Sequence, residues 1–124
     1  MYKIILESLS TLLSIFERND NRKDEVSLSS RKALSETRSY IWELEAGMDA
    51  DRKRERDLSL AWAEAASKVR RFSSELEYEF YGLSTLFSDG KVSADSGTEL
   101  RSQLDKIVGL LRDRNMMIAQ ISPH

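Results

Sequence analysis

The sequence predicts an all-α fold, an antiparallel bundle of about four helices forming one domain over residues 1–124. Proline occurs once and glycine only five times, so the residues that mark hairpins and interrupt helices are rare. Hydrophobic residues make up 40% and charged residues 32% of the chain, a balance typical of soluble globular proteins. Apolar residues also recur at alternating steps of three and four, which places them on one face of a helix.

The first predicted helix runs from about Tyr2 to Arg18. Its apolar residues surround much of the helix: Ile4, Ile5, Leu6, Leu9, Leu12, Leu13, Ile15 and Phe16. Such a helix requires cover from several neighbours or from a second protein chain. Glu7 interrupts the apolar run and no small-residue cleavage site follows it, so we do not interpret the segment as a targeting signal. The run is also shorter than the roughly 20 residues that cross a bilayer.

The second predicted helix follows a polar loop from Asn19 to Glu25. Ser27 or Ser29 can cap its first turn, and Gly47 indicates its C-terminal end. Its core stripe consists of Leu34, Thr37, Ile41, Leu44 and Met48.

The third predicted helix begins in the charged block from Asp49 to Asp57, where Asp49 or Asp51 can cap the first turn. It carries the strongest periodicity in the chain, at Leu58, Trp62, Ala65, Val69, Phe72 and Leu76. After Leu76 the register shifts to Phe80, Leu83 and Phe87. Ser74 and Glu77 have the spacing of a capping box. These features predict a kink or break near Ser73 and Ser74, with a short helix from Glu75 to Phe87; one long helix is the alternative.

The last predicted helix follows a turn at residues 88–91 and a loop that reaches Ser96. Ser96 and Glu99 again have capping-box spacing. The apolar seam of this helix, interrupted by Arg114, consists of Leu100, Leu104, Ile107, Leu111, Ile118 and Ile121. Short connections predict antiparallel neighbours, although the same spacing also suits pairing between two chains.

The composition excludes several classes of chemistry. A net charge of -2 gives no overall attraction to nucleic acid or to anionic lipid, so we expect neither as a partner. The lack of cysteine excludes disulfides and thiolate sites and suits a reducing compartment, so we expect a cytoplasmic protein. His124 is the only histidine, which argues against zinc sites and histidine-dependent triads.

The acidic residues offer no visible catalytic pair. We interpret Glu43 with Glu45, and Glu75 with Glu77 and Glu79, as pairs two residues apart that point to different sides of a helix. We therefore expect no enzymatic activity, no cofactor and no metal site.

Five residues are candidates for a protein interface: Arg38, Trp42, Arg114, Met116 and Met117. Trp42 lies roughly opposite the core stripe of the second helix, and Arg38 lies one turn earlier, where it can stack on the indole. Either another helix covers this face, or the two side chains form an interface anchor. Two interpretations apply to Arg114 and the two methionines. They form an interaction surface, or the apolar seam of the last helix reaches solvent near Arg114.

Six basic residues are the alternative candidates, for contact with nucleic acid: Arg52, Lys53, Arg54, Arg56, Arg70 and Arg71. Acidic residues are interleaved with the first four, which favours a solvated helix face with weak ion pairs. No aromatic platform for stacking bases accompanies them.

Our leading expectation is a non-catalytic interaction protein, a small adaptor, accessory or regulatory subunit that docks helix faces onto itself or onto a larger protein. The alternatives are a nucleic-acid-associated protein that uses the basic residues, and a helical enzyme or toxin in which carboxylates and arginines converge in one cleft. A small-molecule ligand stays an open question.

Overall fold

The computed structural model describes residues 2–18 and 25–121, except for the side chains of residues 17–18, 25–27, 93 and 114–121. Within this part of the chain the prediction of an all-α fold is confirmed. The helices are α1 (Lys3–Arg18), α2 (Glu25–Glu45), α3 (Arg52–Val69), α4 (Ser74–Ser88), the four-residue α5 (Lys91–Ala94) and α6 (Thr98–Ile121). Most of the predicted loop between the first two helices, and His124, lie outside the described residues.

The five long helices form a closed bundle in the order α1, α2, α3, α4, α6, with α6 returning to α1. Consecutive long helices are antiparallel, as predicted from their short connections. The pair that closes the bundle, α6 and α1, is parallel. The reason is that helices of alternating direction give the fifth long helix the same direction as the first. Gly97 lies beside Ile5, and further along both helices Asp105 accepts a hydrogen bond from Ser8. The two helices therefore run in the same direction.

The core is centred on α3. Its apolar residues at alternating spacings of three and four are buried as predicted, at Leu58, Trp62, Ala65 and Val69. The Trp62 ring meets Phe80 of α4 edge to face, with 5.2 Å between centroids and 71° between planes. The indole N–H of Trp62 donates to Thr37 of α2 over 2.9 Å. Side chains of this size each contribute about 1.5–3 kcal/mol when buried, so α3 holds its two neighbours in place.

The predicted break between the third and fourth helices is confirmed, with its cap one residue earlier than expected. Ser73, not Ser74, is the N-cap, because its hydroxyl accepts the backbone N–H of Leu76 over 3.1 Å. Phe72 lies in the turn between the helices and is 43% exposed. The prediction that Phe72 continues the buried row is therefore wrong, because α3 ends at Val69.

Other helix starts confirm one predicted cap and correct two. Asp51 caps α3 by accepting the backbone N–H groups of residues 53 and 54. The expected caps of the second helix are wrong, because α2 already begins at Glu25. Ser96 does not cap α6: its φ of 58° is left-handed, and the Asp95 carboxylate accepts the N–H groups of residues 97 and 99 instead.

Gly47 ends α2 as predicted. Its N–H donates to the carbonyl of Leu44 and that of Met48 to the carbonyl of Glu43, the paired bonds of a Schellman ending. The φ of Gly47 is +96°, a conformation that L side chains rarely adopt. Met48 follows this turn and is exposed, so its predicted place in the core stripe is wrong.

Alanine at two glycines should change stability in opposite directions. A Cβ at either Gly47 or Gly109 would meet no atom within 4 Å, so steric clash is not a factor. Gly47→Ala should destabilise the protein by about 1–2 kcal/mol because of its left-handed backbone. Gly109→Ala, inside α6, should stabilise it by about 1 kcal/mol because alanine favours the helix. Urea unfolding of both variants measures the difference, and a shift of the same sign in both would contradict this assignment.

Candidate interaction surfaces

The first candidate surface is a groove of about 490 Å³ between α1 and α2, called here the α1–α2 groove. It is lined by Leu6, Ser10, Ser35, Arg38, Ser39 and Trp42. Trp42 is 65% exposed, so the interpretation that another helix of the chain covers it is wrong. Arg38 and Trp42 lie one turn apart on the same wall, as their spacing predicts.

The α1–α2 groove is open because its walls carry small side chains. Ser10 of α1 and Ser35 and Ser39 of α2 are too short to fill the crevice between the two helices. Leu6 is half-buried and supplies apolar surface. Trp42 supplies the other apolar surface among the lining residues, so these residues are mostly small and polar, with one large aromatic at the edge of the groove.

The second candidate surface is a groove of about 560 Å³ between α4 and α6, called here the α4–α6 groove. Its lining residues are Ser74, Glu75, Tyr78, Glu79, Lys106, Gly109, Leu110 and Asp113. Three carboxylates face one ammonium group, so the lining is acidic. Tyr78 is 74% exposed and stands on the α4 wall.

The interpretation that Glu75 and Glu79 point to different sides is wrong. They are four residues apart, which is one turn, and both line the α4–α6 groove. Glu79 also accepts a hydrogen bond from the amide of Gln103, which fixes this carboxylate against α6. Asp113 of α6 lines the same groove because α4 and α6 pack side by side, and the spacing within each helix does not show which of their faces meet.

Gly109 keeps the α4–α6 groove open on the α6 side. It is exposed in the interior of a long helix, where glycine costs about 1 kcal/mol relative to alanine. A Cβ there would meet no atom within 4 Å, so the packing of this chain does not require a glycine. The residue lowers the stability of the helix and leaves space in the groove.

The basic residues are not gathered into one patch. The Arg52 guanidinium donates to Glu55 over 2.8 Å and to the carbonyl of Ser88 over 3.1 Å. Arg54 pairs with Glu43 and stacks over the Tyr40 ring, 5.2 Å from its centroid. These two arginines therefore hold the fold together.

The remaining basic residues are spread along α3. Lys53 and Arg56 are exposed near its start, and Arg70 and Arg71 are exposed just beyond its end. Sixteen residues separate Arg54 from Arg70, which is about 24 Å along a helix. Arg70 also lies 3.8 Å from a carboxylate oxygen of Glu77.

Glu55 belongs to a buried polar network, so the prediction that the acidic residues of this segment lie on a solvated face is wrong for Glu55. Its side chain has 0% exposure. One carboxylate oxygen accepts the Arg52 bond, and the other accepts the Tyr40 hydroxyl over 2.6 Å. The Tyr40 hydroxyl in turn accepts the backbone N–H of Asp51 over 3.0 Å. Because both carboxylate oxygens have partners and the side chain is buried, the network joins α2 to the start of α3.

Burial raises the pKa of Tyr40 well above its ordinary value of 10.0, and its hydrogen bond to Glu55 raises it further. The neutral phenol is therefore the form that the fold requires, since only this form donates to Glu55. At the C-terminal end of α2, the Glu45 carboxylate accepts the backbone N–H of Tyr2, the residue before α1, over 2.6 Å. That bond is the main cause that lowers the pKa of Glu45.

Three predicted interface residues, Arg114, Met116 and Met117, belong to the last turns of α6, but their side chains lie outside the described residues. Among the side chains that are described, no group of three or more acidic or histidine residues could hold a metal ion. No helix in the described ranges combines the length and the apolar character needed to cross a membrane.

The fold and these surfaces define the class as a five-helix α-bundle with two open grooves between its helices. A comparison of this chain with protein families, with curated proteins and with solved structures finds no match. The grooves themselves are therefore the basis for any functional inference.

Two arginines of the basic run should differ in their effect on stability. Arg52→Ala removes a charged donor from the buried Glu55, which should cost about 1–3 kcal/mol. Arg56→Ala is the matched control on the exposed face and should stay within about 0.5 kcal/mol of the native protein. Chemical denaturation of the two variants measures both values. Equal changes in the free energy of unfolding would show that the contact between Arg52 and Glu55 does not stabilise the protein.

Tyr40→Phe should destabilise the protein by about 1–3 kcal/mol, because Glu55 loses a donor and the Asp51 N–H loses its acceptor. The raised pKa of Tyr40 also sets a pH dependence. The stability that its neutral phenol contributes is fully present below its ordinary pKa of 10.0 and is lost as the pH rises above it. As the pH rises above this value, the free energy of unfolding should therefore fall less for Tyr40→Phe than for the native protein.

Denaturation curves at neutral and alkaline pH check this prediction, with Tyr78→Phe as a control that removes an exposed hydroxyl. Identical alkaline profiles for the native protein and Tyr40→Phe would remove Tyr40 as the cause.

Proposed function

We propose that the chain is a non-catalytic interaction protein, an adaptor, accessory or regulatory subunit that docks helix faces onto itself or onto a larger protein. The observation that carries the proposal is the exposure of Trp42 beside Arg38 at the α1–α2 groove. Tryptophan and arginine are enriched among the few residues that dominate binding energy at protein interfaces. A docked tryptophan buries about 150–250 Å².

The setting of Trp42 distinguishes it from other exposed apolar side chains. Leu60 is 70% exposed on the outer face of α3, and single exposed leucines are normal on protein surfaces. Trp42 instead lines a groove together with the half-buried Leu6 and the guanidinium group of Arg38. A helix laid in the α1–α2 groove would bury the indole and the groove wall together.

We further propose that this function is performed in the cytoplasm. The support is the absence of cysteine from the chain, since a protein without disulfides suits a reducing compartment.

The proposal predicts site-specific cross-linking in the native host. A photo-reactive amino acid replaces Ser39, which lines the α1–α2 groove and leaves Trp42 intact. The matched control carries the same probe at Ser67, an exposed serine of α3. Position 39 should give a discrete adduct and position 67 should not. Adding Trp42→Ala should abolish the adduct, because the interface loses its anchor.

Either kind of adduct at position 39 agrees with the proposal, whether with a second copy or with a different protein, provided that it depends on Trp42. Equal cross-linking at both positions, or no adduct at either, would contradict it.

A further inference from the structure

We infer that the α4–α6 groove binds Arg38 and Trp42 of a second copy, so that copies of this chain associate head to tail. The inference rests on the proposed function and makes it specific, because it names both the partner and the surface that receives the anchor. Four features of the described residues carry it: the charge of the groove, its size, the aromatic on its wall and the relative position of the two surfaces.

Charge complementarity favours this pairing. Among the described lining residues, the α4–α6 groove presents three carboxylates, Glu75, Glu79 and Asp113, and one cation, Lys106. Arg38 is exposed on the rim of the other surface. A guanidinium group can bind a carboxylate through two parallel hydrogen bonds, and burial of Trp42 beside it would shield that contact from water.

The size and chemistry of the α4–α6 groove suit an indole ring. The groove has a volume of about 560 Å³ and is widely open to solvent, so it can cover one face of an indole ring without enclosing it. Leu110 provides an apolar wall, and Gly109 contributes no side chain. Tyr78 offers an exposed ring against which Trp42 or Arg38 can stack.

The two surfaces are separate, which determines the kind of assembly. One lies between α1 and α2, the other lies between α4 and α6, and the α1–α6 contact separates them. One copy can therefore use both surfaces at the same time. Such a contact is heterologous, and it continues into a ring or an open chain instead of stopping at a symmetric dimer.

This geometry allows a complementation experiment with two purified variants. The anchor variant carries Arg38→Ala and Trp42→Ala and keeps its groove. The groove variant carries Gly109→Leu and Asp113→Lys and keeps its anchor. Both changes in the groove variant lie at exposed positions of α6, and leucine favours the helix over glycine, so the variant should fold.

The expected results differ for the native protein, for each variant alone and for their mixture. Sedimentation of the native protein should show species larger than a dimer as the concentration rises. Each variant alone should stay monomeric, with self-association weakened by more than about 30-fold, which is the loss of a strong interface anchor. An equimolar mixture should form a species of twice the monomer mass and no larger one, because one intact anchor meets one intact groove.

A matched control carries Arg56→Ala and Leu60→Ala, the same kinds of change on the exposed face of α3. It should associate like the native protein. Gly109→Ala, which adds one methyl group to the groove, should weaken association less than the groove variant does. Circular dichroism should show that all variants remain helical and thereby exclude unfolding as the cause of lost association.

Three results would overturn the inference. The first is a native protein that is monomeric at every concentration. The second is a native protein that associates while the mixture of the two variants does not, because this result indicates a symmetric contact. Association unchanged in the groove variant would also exclude it. The proposed function fails separately, in the cross-linking experiment: a Trp42-dependent adduct with a different protein would support that function while the head-to-tail contact is rejected.

Discussion

Trp62 is the side chain through which α2, α3 and α4 are held in one arrangement. Its N–H is satisfied by Thr37 on one side, and its ring packs on Phe80 on the other. Close approach of α3 and α4 around it depends on small residues, since the hydroxyls of Ser59 and Ser84 lie 3.0 Å apart. With these three helices fixed, α1 and α6 must cover the remaining open side, and the grooves form where they meet α2 and α4.

The Glu55 network determines how one end of this arrangement closes. A buried carboxylate is costly unless it is paired, and Glu55 is paired from two directions, by Tyr40 of α2 and by Arg52 of its own helix. Because Arg52 also reaches the carbonyl of Ser88, the start of α3 is tied to the end of α4. The network thus holds the loop before α3 next to the loop after α4. The guanidinium group of Arg52 is used within the fold for this contact.

The sequence predicted the helices, most of the core and the antiparallel packing of consecutive helices, but not where the buried row of α3 ends or that α6 packs against α1. Phe72 keeps the spacing of the α3 row, yet the helix has already ended at Val69. The same row could have been extended backwards, since Glu55 lies three residues before Leu58; the surrounding charges concealed this signal. The α4–α6 groove could not be predicted, because the spacing within each helix does not show which faces of the two helices meet.

The openness of the two grooves comes from particular small residues. Serines at positions 10, 35 and 39 leave the α1–α2 groove unfilled, and Gly109 does the same between α4 and α6. Nothing within 4 Å would meet a Cβ at Gly109, so alanine there would add helix stability without a steric penalty. Such stabilising changes are available in most natural proteins, because selection maintains only as much stability as function needs. Gly109 is therefore not required by the packing of the chain, and its effect in the structure is to leave the acidic groove open.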